Sequence, residues 1–197
     1  MSQAAFQTAF ARLVIDTEFR LSVAEGGVDE LGNDLTEREL RRLAAIASQP
    51  GIEITATLYE AWRLTKVLTL LPRTAARLGT NRLANELRAF WTSNPATTLY
   101  FVEECLAFCE FLDARLAGDP VAYAADLLGF ERAKLELHHA ATWTDDPPAV
   151  RVVLTHDPRV LLEDLVDADE FVDIPAGEFV LEGSLDTAGD EHWHLVM

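Results

Sequence analysis

The sequence predicts a mainly α chain with a small C-terminal α/β region, on three observations. Apolar residues recur at helical spacing from the start to about residue 141. Helix start and stop signals punctuate that stretch. After a turn-rich segment, "TWTDDPP" (142–148), the texture changes to β-branched and alternating residues. The expected organisation is a helical domain over 1–141, a linker over 142–148 and a small acidic strand-containing domain over 149–197.

Phe6, Phe10 and Leu13 share one face of an opening helix, and Asp16 can cap a second, short one, "TEFRLSVAE", which Gly26-Gly27 stop. "LTERELRRLAAIA" begins with a capping box: Thr36 and Glu39, three apart, can each satisfy an exposed amide at the helix start. Pro50-Gly51 is expected to end that helix. A longer one, over roughly 52–71, runs through Leu58, Trp62, Val67, Leu70 and Leu71. Pro72 kinks it or starts a new turn, because proline lacks the backbone donor, and Gly79 supplies a stop. Thr80 or Asn81 opens "RLANELRAFW", which Pro95 separates from "VEECLAFCEFLDARL" (102–116). Asp119-Pro120 reads as an N-cap and first-turn pair for a helix running to about 141.

The strands follow. "AVRVVLTHD" is β-branched, "EFVLEGS" puts Phe179, Leu181 and Gly183 on one side and Val180 and Glu182 on the other, and "HWHLVM" follows a "DTAGDE" turn. Residues 159–166 read as helix or strand, with Leu161, Leu162 and Leu165 favouring a short helix.

Composition limits the function. The chain of 197 residues is 49% apolar, enough for a real core, yet no run approaches the roughly 18 apolar residues of a membrane span. The opening "MSQAAFQTAFARL" lacks the basic and apolar regions of a signal peptide, and the cysteines number two, so free thiols in the cytoplasm are expected. The net charge is −17, and residues 142–197 hold 14 of the 33 acidic side chains with two arginines. Such a surface offers few cations to replace the counterions of a nucleic acid, so no nucleic-acid partner is expected. It suits a basic partner, or simply hydration.

Cys105 and Cys109 are one turn apart on a helix, which suggests a metal site or a core wall. Positions 101, 105, 108, 109, 112 and 116 share a side and read Phe, Cys, Phe, Cys, Leu, Leu. An apolar stripe neither forms thiolates nor completes a tetrahedral zinc site, so core packing is expected. His138-His139 are adjacent on a helix, point about 100° apart and cannot readily share a metal. His192 and His194 flank Trp193 and fall on one strand face near Asp190 and Glu191; the alternatives are two ligands of a metal site or solvated strand residues. His156-Asp157 sits at a strand end without any G-x-S-x-G, H-E-x-x-H, phosphate-loop or dinucleotide motif. No catalytic residue and no metal ligand is assigned. The arginines divide the same way: Arg38, Arg41 and Arg42 on the capping-box helix, and Arg73 and Arg77 one turn apart, either pair with nearby acids or contact a partner.

"FARLVIDTEFR" (10–20), "LTERELRRL" (35–43), "LPRTAARLG" (71–79) and "EECLAFCEFLDARL" (103–116), in that order and before a strand-containing end, resemble a group of bacterial helical accessory subunits. These stand beside TIM-barrel enzymes with two or three iron ions that oxidise cysteines in ribosomally made peptides, as in the methanobactin and thiaglutamate pathways. The resemblance implies a non-catalytic partner subunit with no cofactor of its own. The iron belongs to the barrel enzyme, and the small subunit helps engage the precursor peptide. A sheet edge would let an extended peptide add a strand. On this reading Phe179, Val180 and Leu181, or His192, Trp193 and His194, supply the edge, while Arg38, Arg41, Arg42, Arg73 and Arg77 contact the enzyme. Two other classes remain open: an acidic interaction module such as a DNA mimic, and an independent metalloenzyme that uses His192 and His194.

Overall fold

The computed structural model describes residues 3–27, 34–94, 101–118, 121, 123–144, 148–163 and 174–196. Pro95, the Asp119-Pro120 pair, residues 145–147 of the linker and Leu165 lie outside them. Among the described residues the chain is mainly helical, with a three-stranded antiparallel sheet toward its C-terminal end. It forms two compact units: Met1–Thr65 with Trp91–Leu99, and Lys66–Phe90 with Tyr100–Met197.

The first unit contains α1 (Gln3–Ile15), α2 (Thr17–Ala24), α3 (Glu37–Ala47) and the greater part of α4 (Pro50–Leu70). Its core joins Leu13, Phe19, Val23 and Leu43, with Phe6 and Leu40 packed against it. Burying each such side chain stabilises by about 1.5–3 kcal/mol. The breaks between helices are chemically specified. Asp16 accepts the Phe19 N–H at 2.9 Å, and Thr36 and Glu39 form the full capping box, the Glu39 carboxylate accepting the Thr36 N–H at 2.8 Å. Pro50 plays a different part from the one expected: α3 has already stopped at Ala47, and Pro50 is the first residue of α4, where a missing N–H costs nothing. Arg63 on α4 is buried, with its guanidinium 4.2 Å from the Trp91 ring centre, so a charge is accommodated by a π face.

The second unit holds α5 (Pro72–Leu78), α7 (Phe101–Leu116), α8 (Ala124–Ala141), α9 (Pro158–Leu161) and the sheet, together with most of α6 (Thr80–Ser93). Pro72 starts a new helix rather than kinking α4, and Gly79 closes it at φ 78°, a conformation that favours glycine. The sheet is a meander in the order β1 (Val150–His156), β2 (Ala176–Leu185), β3 (Glu191–Val196). Alternation fixes its two faces. Val152, Leu181 and Leu195 are in register across the inner face, and they share a core with Leu127, Phe130 and Ala133 of α8. Val153, Val180 and Val196 align across the outer face, beside a row of Arg151, Glu182 and His194. Residues 158–161 form the short helix, capped by Asp157, which accepts the Arg159 N–H at 3.0 Å.

Candidate functional site

A groove of about 310 Å³ lies along β1, on the side away from β2. Its wall is α7, through Cys109 and Asp113, and its floor is α8, through Leu128, Gly129 and Ala133. Arg151, Val152 and Val153 supply the strand side. Among the described residues β1 pairs with β2 alone; its stretch Arg151–Val153 borders this groove, while the Thr155 N–H is taken by the Asp126 carboxylate. Val153 is 61% exposed, an uncharged β-branched side chain on an edge strand. Of the usual edge devices, the charged Arg151 lies in this stretch, while a register break falls between Leu154 and His156 and Pro158 comes after the strand.

The groove is polar at its rim, where its lining sets Arg132 and Arg151 against Asp113 and Glu136. Arg132 Nε donates to Glu136 at 2.8 Å and its Nη2 to Glu110 at 3.4 Å. The Glu136 hydrogen bond outweighs partial burial and raises the Arg132 pKa. Arg151 Nε is 2.5 Å from Glu182, which holds that carboxyl below its usual range. Asp113 is exposed at the same rim. Arg132 thus meets Glu110 and Glu136, Arg151 meets Glu182, and the lining itself balances two arginines with two acids.

Cys105 and Cys109 belong to the core side of α7, at 1% and 0% exposure. A hydrogen bond to Cys109, and then burial, push the Cys105 thiol far above its ordinary pKa, so it is unreactive at neutral pH. Among the described residues no group of three or more His, Cys, Asp or Glu side chains is placed to hold a metal ion. His192 and His194 share the outer face of β3 but turn to different carboxylates, Asp186 at 3.1 Å and Glu182 at 3.4 Å. His138 pairs with Glu191 at 2.7 Å, while the His139 ring stands edge-on to Trp143.

Other residues singled out by sequence take varied places. β2 is the middle strand, hydrogen-bonded on both sides, so Phe179, Val180 and Leu181 have no free edge to offer; β1 and β3 are the edges. Phe179 and Leu181 face the core and Val180 faces outward. Trp193 points inward, its ring 4.9 Å from Phe130 and closely covering Gly183, where a Cβ would meet it at 2.5 Å. Arg38, Arg41 and Arg42 are exposed on α3. Arg73 and Arg77 are half-buried, Arg77 lying 5.6 Å from the Tyr123 ring.

Two arrangements escaped the sequence reading. Asp126 is 6% exposed and accepts from the Thr155 N–H at 3.0 Å, with His156 Nδ1 at 2.7 Å and Thr155 Oγ1 also in reach. Tyr123, edge-on to His156 at 4.7 Å, holds a left-handed φ of 68°, at a cost of about 1–2 kcal/mol for a non-glycine residue. Sequence drew attention to His156 beside Asp157, but its partner lies 30 residues upstream. Asp157 instead pairs with Arg159 at 2.6 Å. The second is Glu131, 3% exposed, whose carboxylate accepts the Arg73 and Thr74 N–H groups at 2.7 and 3.0 Å and so caps α5 from a distance. Burial raises its pKa, against the pull of those hydrogen bonds.

No helix among the described residues is long and apolar enough to cross a membrane. Set against known proteins, the chain matches no family model and no curated protein.

Proposed function

We propose that this chain is a non-catalytic partner subunit that binds a metal-dependent oxidative enzyme of the TIM-barrel type and engages the ribosomally made peptide that the enzyme modifies. The observation that carries the reading is the open edge of β1 with its adjoining groove. An extended peptide laid there continues the sheet through backbone hydrogen bonds, which require no particular side chains, and alternate residues meet the floor. The floor of Leu128, Gly129 and Ala133 takes a small or apolar side chain, and the mixed charges of Asp113, Arg132, Glu136 and Arg151 take polar neighbours. In this arrangement the peptide site moves from β2 and β3 to β1, and the iron stays with the enzyme.

The test is capture of the tagged chain from its native host at moderate salt, with metal analysis of the eluate. A stoichiometric iron-containing barrel enzyme supports the reading, and its precursor peptide should then slow amide exchange across Val150–His156. A nucleic-acid-binding protein in the eluate, or metal retained on this chain alone, sinks it.

A further inference from the structure

The meander determines which backbone groups of β1 are free. Along an antiparallel strand, residues alternate between those bonded to one neighbour and those turned to the other side. Across the β2–β3 turn the Asp186 N–H donates to the Asp190 carbonyl at 3.0 Å. By alternation along the β2–β3 register, Ser184, Glu182 and Val180 bond to β3 as well, so Gly183, Leu181 and Phe179 turn toward β1. Their partners Val150, Val152 and Leu154 direct their backbone groups to β2, and Arg151 and Val153 turn theirs outward. Thr155 keeps the same phase. Its N–H points away from β2 and donates to the Asp126 carboxylate at 3.0 Å. That carboxylate is 6% exposed and is held by Thr155 Oγ1 and His156 Nδ1 at 3.0 and 2.7 Å. Among the described residues, the outward N–H and C=O groups of Arg151 and Val153 have no partner. The edge beside the groove is short and closed at one end.

We infer that a peptide on this edge binds in one register: antiparallel to β1, bonded to Arg151 and Val153, and ended by Asp126 at Thr155. This register rests on the reading of β1 as the peptide edge, and adds what the peptide must be. In antiparallel pairing Arg151 and Val153 each exchange an N–H and a C=O with one peptide residue. The peptide residue between those two stands opposite Val152 and turns its side chain to the same face, over Leu128, Gly129 and Ala133. Its neighbours point outward beside Val153 and Arg151, and the Arg151 side chain is already paired with Glu182. The central side chain alone is read, and the floor requires it to be small and apolar. A second copy of this chain fits poorly. Pairing β1 with β1 brings the copy's β2 about 4.8 Å further out, onto the wall made by α7.

The probe is the acetylated, amidated peptide Thr-Val-Ala-Val-Thr, titrated at millimolar concentration into the isotope-labelled full chain and followed by NMR. The Arg151 and Val153 amides are expected to shift and to exchange more slowly, while the Thr155 amide is unchanged. N-methylation of both valines removes the donors aimed at β1 and should weaken binding at least tenfold, as should aspartate in place of the central alanine. Val153→Pro should do the same with little change in melting temperature, because the lost N–H makes no bond to β2. Equal binding of the methylated peptide, or equal binding by folded Val153→Pro, overturns the register. So does loss on methylating the alanine alone, the mark of a parallel strand. Shifts confined to β3, or no shift at all, overturn it too. Arg151 and Val153 shifts that follow protein concentration without peptide do the same, and assign the edge to a second copy. The titration needs no enzyme. A captured iron enzyme beside a failed titration leaves the partner-subunit reading standing, and a successful titration with no iron enzyme captured leaves the register standing alone.

Discussion

α4 and α7 carry the same kind of pattern and meet opposite fates. On α7, Cys105, Phe108, Cys109, Leu112 and Leu116 are all within 3% of complete burial. On α4, Ile54, Leu58 and Trp62 recur just as regularly and are 42–65% exposed. Helical spacing states which residues share a face; it does not state what covers that face. The difference lies in the second face. α7 opposes its stripe with Glu103, Glu110 and Asp113, so only one side can be inside. α4 carries apolar residues on both sides, and its own core uses the side of Ile52 and Arg63. A helix with apolar residues on two sides leaves one of them exposed once its core side is chosen.

This comparison can be broken by stability measurements. The largest effect is expected for Phe108→Ala, which empties a fully buried ring site in contact with Phe90 and should destabilise by about 3–5 kcal/mol in urea unfolding. Cys109→Ser places a hydroxyl in the same wall and should cost about 1–3 kcal/mol. If both native thiols react with Ellman's reagent as fast as in the unfolded chain, α7 is not the closed wall described. Glu131, on the α8 side of this core, gives a pH signature. Its pKa is raised from 4.5 in the fold, so its contribution is complete below about pH 4.5 and is lost as pH rises through the raised value. Thermal melts should therefore show wild type losing stability relative to Glu131→Gln across that window, and parallel curves would count against the buried carboxyl. Leu58→Ser is the smallest effect, within about 0.5 kcal/mol, because its site is solvated. A loss near that of Phe108→Ala would mean the α4 ridge is internal.

Much of the fold was legible because its signals are local. Asp16, Thr36 with Glu39, Pro72 and Gly79 act within four residues of themselves, and the structure uses each at a helix end. Alternation in "EFVLEGS" correctly assigned Phe179 and Leu181 to one face and Val180 to the other. Strand order was not legible, since alternation is the same for a central and an edge strand, and so "EFVLEGS" stood beside "HWHLVM" as a candidate edge, though β2 is central and β3 is at the edge. Pro50 misled because a proline serves equally after one helix and at the start of the next. The Asp126–His156 pair joins residues 30 apart, the Glu131 cap residues 57 and 58 apart, and the groove beside β1 draws on three separate elements, with no short-range trace. Leu58 and Trp62 of α4 were legible as residues of a helix, a pattern that carries no sign of what faces them.

The Glu131 cap bears on the order in which the chain folds. α5 has seven residues, opens with proline and has no capping side chain of its own. A helix that short does not persist alone in water. Its N-terminal amides find their acceptor 57 and 58 residues further along, so it must wait for that loop to close and for α8 to arrive. α5 should then be absent from the folding transition state: Ala75→Gly is expected to speed unfolding and leave the refolding rate unchanged in stopped-flow chevrons. The segment after Pro72 would be among the last to gain protection from exchange, a late latch set by α8.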